Sequence, residues 1–296
     1  MDDFSRLGVR EIVTENSTLI SSSKYLNDPR LRDAVATAIL RRNGRERRVG
    51  WDSTPIVRAY REMRDPGPIN ELIAEERRRN AALDAWFETR HISTFKRADL
   101  ADYPEGSLGR LFWRYLTDND FDIDIDPNLR KDPSWRPRTD LEYFELRSAQ
   151  THDFEHILGG VGFDFLGEVV PFWMRMENYF AHMSHDLAGE LGVVYALLIL
   201  PMQTRTMLHY PRAWTVVSRY IERGIALGRQ AGPFFMARYE DLMQLSVPDV
   251  RTRLGIPEIE EWNSAAISDY WSEGAQGASV KTPQVAGAKV LGIAAE

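Results

Sequence analysis

Two histidines stand one helical turn apart in the segment His152-Asp153-Phe154-Glu155-His156. At about 100° per residue they lie roughly 40° apart on a helix wheel, a spacing that lets two imidazoles grip one ion. Eleven residues, 157–167, separate His156 from Glu168. Gly159, Gly160 and Gly162 fall in that interval, so the chain can reverse and a second helix starting near Glu168 can return its carboxylate to the histidines. Asp153 sits about 100° from His152, as a ligand from the flank or a partner that orients an imidazole. Two neutral imidazoles and one or two carboxylates suit zinc, iron or manganese, with magnesium not excluded, and leave positions open for substrate.

The chain has no cysteine, which removes disulfides, thiolate zinc sites, iron–sulfur clusters and cysteine nucleophiles. An i, i+4 histidine pair beside acidic residues also occurs on solvated helix faces. Three features favour a metal. Four of the six histidines, His152, His156, His182 and His185, fall within the 34 residues 152–185. Tyr143, Leu146, Phe154, Ile157 and Leu158 give the helix an apolar back, with Glu145 and Ser148 on the histidine face. Glu168 follows the glycine-rich turn directly. His182 lies roughly 21 Å along a continuous helix from Glu168, so His182 and His185 belong to a helix junction with Ser184 as cap.

The positioning elements are helical. Asp28-Pro29 opens an amphipathic stretch, LRDAVATAILRR. Helices follow over 55–63 and 68–89, and Ser107 caps one carrying Leu108, Leu111, Phe112 and Tyr115. Thr139 and Glu142 form a capping-box pattern for the histidine helix. Further helices are predicted over 187–208, 212–229 and 234–244. Ser246-Val-Pro-Asp opens a last short one that Gly255 ends. The expected fold is all-α: a multi-helix domain over 19–260 with the metal site between two neighbouring helices. Residues 1–18 form a polar lead-in and 273–296, rich in Gly, Ala and Ser, a disordered tail. The acidic run DNDFDIDIDP, 118–127, lacks the glycine and closing glutamate of a calcium loop and reads as an acidic loop or edge strand.

A net charge of −7 argues against nucleic acid. The N-terminus has no signal-peptide core, and the longest apolar run, 191–202, is too short to span a bilayer. These features point to a cytoplasmic protein that can rest on a membrane. Phe172, Arg175, Tyr179 and His182 share the Glu168 face, and Trp173, Met174, Met176, Phe180 and Met183 add aromatic and methionine density. Core packing explains such a stripe. The functional alternative is a groove for a lipid tail, lined by Phe172, Arg175 and Tyr179.

The pattern His152-Asp153-x-x-His156, eleven residues, then Glu168 resembles the metal signature of the coenzyme Q (ubiquinone) biosynthesis protein four family. SSSKYLNDPRLRDAVA (21–36), PEGSLGRLFWRYL (104–116), FLGEVV (165–170), GRQAGPFFMARYEDL (228–242) and 251–256 are similar to further family segments. MRMENYFAHMSHDLAGE (174–190) and a longer C-terminus depart from them. The resemblance implies an all-helical fold and a divalent metal, usually zinc, held by His152, Asp153, His156 and Glu168. It implies oxidative decarboxylation at ring carbon one of a prenylated hydroxybenzoate, with hydroxyl replacing carboxylate. Zinc has no redox chemistry, so oxygen activation would fall on the substrate. Expected partners are the prenylated aromatic lipid and other quinone-biosynthesis enzymes, and a homo-oligomer is allowed. Two alternatives stand beside it. His-x-x-Glu-His fits an inverted zinc peptidase with Glu155 as general base. A non-catalytic, metal-stabilised lipid scaffold fits the apolar stripe.

Overall fold

Short polar side chains set where the helices begin. Asp65 accepts from Gly67 N–H, Asn80 from Leu83, Ser107 from Arg110, Thr139 from Glu142 and Ser246 from Asp249. The computed structural model describes residues 21, 23–40, 53–120, 123, 132–164 and 166–264. Among them are ten α-helices: α1 Pro29–Leu40, α2 Ser53–Met63, α3 Pro66–Arg79, α4 Ala81–Thr89, α5 Leu108–Asp118, α6 Asp140–Gly159, α7 Val169–His182, α8 His185–His209, α9 Trp214–Gln230 and α10 Val247–Arg253. The described residues contain no strand, only one isolated bridge between Ser107 and Ser246, so the fold is all-α. The lead-in 1–18, the tail 273–296 and most of the acidic run lie outside the described residues.

Two expected helices differ. The stretch 68–89 is two helices, because Asn80 ends α3 and caps α4 with its own side chain. Residues 234–244 form two short 3-10 turns, Phe234–Met236 and Tyr239–Leu242, rather than one α-helix.

The site is positioned by α6, α7 and α9. Gly224 and Gly228 of α9 lie against α7. A Cβ on Gly224 would stand 2.8 Å from Val170 O, and one on Gly228 would stand 2.3 Å from Met174 O. The two helices therefore approach too closely at these positions for any side chain on α9. Asn178 Nδ2 donates to Gly228 O at 3.0 Å and His182 Nε2 lies 2.8 Å from Ala231 O, so α7 caps the end of α9. His182 is thus structural, away from the His152–His156 face. Ser184 occupies the N-cap position of α8 but makes no side-chain cap bond.

The apolar run 191–202 lies inside α8, which is 25 residues long. By length and composition alone, α8 is apolar enough to cross a membrane. The apolar stretch is thus longer than the twelve-residue run marked in the sequence. Half of its most apolar window is buried, and α8 packs on α7, α1, α3 and α2.

Candidate metal centre

Helix α6 carries both histidines on its last two turns. The capping box of Thr139 and Glu142 starts it, and Gly160, at φ 65°, ends it in the left-handed conformation that favours glycine. It is not the half-solvated helix that the wheel suggests. In its second half Thr151, Phe154, Glu155, His156, Ile157 and Leu158 are all buried. On the histidine face, Ser148 Oγ lies 3.1 Å from Tyr195 Oη, and Arg64 pairs with Glu145 at 2.6 Å. That face is partly roofed by polar contacts.

His152 Nε2 lies 3.0 Å from Glu168 Oε2, His156 Nε2 lies 3.4 Å from His152 Nε2, and His156 Nε2 lies 3.5 Å from the same Glu168 oxygen. Two donors about 2.0–2.1 Å from one ion, at tetrahedral angles, sit about 3.3 Å apart. The three atoms therefore have the dimensions of one face of a coordination tetrahedron. Among the described residues this trio is the only group of at least three His, Asp or Glu side chains whose ligand atoms converge for a metal.

His156 Nδ1 lies 2.7 Å from Gly162 O, so in the neutral ring Nδ1–H donates to that carbonyl and Nε2 is the nitrogen left to face Glu168. Stacked rings hold both imidazoles: Phe163 on His156 at 4.9 Å and Phe172 on His152 at 5.9 Å. His156 is 1% exposed on its side chain, whereas His152 and Glu168 are 24% and 28% exposed, so access comes from their side. Burial alone would lower the pKa of His156. The Glu168 carboxylate, with help from Asp153 and Gly162 O, outweighs it and raises the value to about 9. Burial would raise the Glu168 carboxyl, but the two imidazoles hold it far below the usual range.

Asp153 lies outside the converging trio, though its charge reaches His156. Phe172 lies beside the site on the first turn of α7. Arg175 and Tyr179 are expected with it to line a tail groove. Both are almost fully buried. Arg175 forms a forked ion pair with Glu155, with Nε 2.9 Å from Oε2, and donates to Ser148 O at 2.8 Å. Tyr179 packs among Phe144, Phe235 and Tyr195. Neither can wall a groove that is open in this structure.

Glu155 is fully buried and held by Arg175, so it is not a base poised over the histidines. The peptidase alternative requires that carboxylate to be free, and here it is paired. The sequence reading used Gly162 only as a helix breaker and missed its carbonyl as the acceptor for His156. Its place six residues after the histidine was the available signal.

A family model described as "Coenzyme Q (ubiquinone) biosynthesis protein Coq4" matches residues 89–260. The chain is 28% identical over 165 residues to the mitochondrial ubiquinone biosynthesis protein COQ4 homolog of Rattus norvegicus, covering 56% of each. It is 29% identical over 164 residues to the mitochondrial homolog of Homo sapiens, covering 55% of this chain and 56% of that one. The chain spans about half the length of the curated relatives it matches. A crystal structure from Nostoc punctiforme, named as a ubiquinone biosynthesis protein, superposes with a TM-score of 0.54 at 19% identity. It covers 79% of this chain and 98% of that one, a likeness of fold.

Proposed function

Because the chain belongs to the Coq4 family of coenzyme Q (ubiquinone) biosynthesis proteins, we propose that it acts on a prenylated hydroxybenzoate through a divalent metal held by His152, His156 and Glu168, releasing the ring carboxylate as carbon dioxide and placing hydroxyl there, with dioxygen as the external two-electron oxidant. The convergence of the two Nε2 atoms and one Glu168 oxygen carries this reading. The donor set of two imidazoles and one carboxylate favours zinc, with iron, manganese and magnesium as alternatives. Asp153 supports His156 through its charge, as a fourth ligand or as an orienting group.

A metal bound there would supply Lewis-acid stabilisation of the oxygen that gathers charge as carbon dioxide leaves. The rest is the work of the protein. Gly162 O fixes the His156 tautomer. Phe163 and Phe172 limit rotation of the two imidazoles and keep water from their faces. The Glu155–Arg175 pair pins α6 to α7, so the two histidines and Glu168 keep their spacing.

The substrate tail calls for a membrane surface. Leu200, Met207 and Leu208 are exposed on α8. Leu40 is exposed at the end of α1, where Ile39 O meets His209. These side chains support peripheral contact with lipid, from which a prenylated acid and other quinone-biosynthesis enzymes could be reached. Purified protein incubated with the prenylated acid and an oxidant should release carbon dioxide only when metal is present. Metal retention without turnover would instead favour the scaffold alternative.

A further inference from the structure

The last described segment, 257–264, crosses the turn between the two ligand-bearing helices. Trp262 N–H donates to Gly160 O at 2.7 Å. The guanidinium carbon of Arg223 lies 3.2 Å from the centroid of a Trp262 ring, and Arg223 also donates to Glu260 O at 2.8 Å. Arg251 pairs with Glu261 at 2.6 Å, while its other bonds, 2.8 Å to Ile157 O and 3.0 Å to Leu158 O, satisfy the last carbonyls of α6. The strap is therefore fastened on both sides of the end of α6.

Those contacts deliver Ser264, which is fully buried, to the centre of the turn. Ser264 Oγ accepts from Gly162 N–H at 2.8 Å. Its own proton goes to Asp164 Oδ2. Asp164 Oδ1 accepts from Leu166 N–H at 3.1 Å and Gly167 N–H at 3.3 Å, and its backbone carbonyl accepts from Glu168 N–H at 3.2 Å. One hydroxyl thus joins the N–H of Gly162, the residue whose carbonyl holds His156, to the Asp164 turn that launches Glu168.

We propose that Ser264 is a positioning residue of the metal site, acting through Asp164 and the backbone of Gly162 to hold His156 and Glu168 at their ligating spacing. The proposal rests on the metal-site reading above. It places a determinant of that site outside the matched family segment, which ends at 260. Alanine at 264 would leave the buried Gly162 N–H without its acceptor and Asp164 without one donor. The peptide and turn would then relax toward new partners. Threonine keeps the hydroxyl.

The test uses the full chain, stripped of metal and titrated with cobalt(II). Wild type should bind cobalt and show the visible bands of a low-coordinate site. Ser264→Ala should release cobalt to a chelator about 10-fold faster with altered bands, and Ser264→Thr should stay within about twofold of wild type, as expected for an outer partner of a ligand. Unfolding of the metal-free proteins is measured in parallel. A merely structural strap would lower that stability and leave cobalt bands and release unchanged, which overturns the proposal. If Ser264→Ala does not fold, Asp164→Asn takes its place and must show the same cobalt effects; unchanged release overturns the proposal. Wild type that takes up no cobalt overturns the metal reading and this proposal together.

Discussion

The backbone of Gly167 runs so close to the carbonyl of Gly162 that a Cβ at 167 would stand 1.9 Å from that oxygen. The same oxygen accepts the Nδ1–H of His156. Glycine at 167 is therefore a condition for the orientation of a histidine eleven residues earlier. Gly167→Ala should displace the Gly162 carbonyl and weaken metal binding by about 10–100-fold, the range for loss of an outer partner. Chelator competition checks this; affinity equal to wild type would show that the turn does not govern His156.

Glu155 and Arg175 predict an effect on stability. The sequence offers Glu155 as the general base of the peptidase alternative. The structure adds that Glu155 is buried against Arg175. Removing one partner leaves the other charge uncompensated, at a cost of about 3–5 kcal/mol in unfolding free energy. Urea denaturation of Glu155→Gln should show that loss, and replacing both residues by methionine should recover part of it. A change below about 1 kcal/mol would mean that the pair is solvated in solution.

Metal uptake should depend on pH through His156. In metal-free protein its pKa stands at about 9, above its ordinary 6.5. A raised histidine contributes stability that is fully present below pH 6.5 and lost as pH rises through about 9. Metal must displace that proton, so affinity should climb about tenfold per pH unit over this window and flatten above it. Thermal unfolding with chelator and with zinc, from pH 6 to 9.5, should show the metal-free protein losing stability as the zinc-dependent gain grows. A zinc-dependent gain that does not change with pH would contradict this.

Much of the fold is legible because capping chemistry is local. Thr139 with Glu142, Ser107 and Ser246 each start the helix their side chains predict. Asn80 is hard to read because it stands inside a run that otherwise favours helix, although an N-cap asparagine can split such a run. The histidine pair and Glu168 were legible from spacing. The burial of their helix was not, because the partners that permit it are distant. Glu155 needs Arg175, twenty residues on, and Arg147, 2% exposed, needs Glu240. The polar wheel positions on α6 are paired in the interior, so polarity did not mean solvent.

Phe172 carries what remains of the tail expectation. It is half-buried, stacks on His152 and lies against Tyr195. A prenylated ring acid should bind wild type at least tenfold more tightly than the same acid without its tail, since each buried methylene contributes about 0.8 kcal/mol. Phe172→Asp should narrow that gap. Equal binding of both acids to wild type would remove the lipid substrate from the account.

The central claim is that His152, His156 and Glu168 hold one metal. It is tested most directly by elemental analysis of purified wild type beside His156→Ala, each with its fold checked by circular dichroism. The arrangement predicts about one divalent ion per chain in wild type and a near-complete loss in the variant, because the missing Nε2 is one corner of the three-atom face. Full metal content in a folded His156→Ala protein would contradict it.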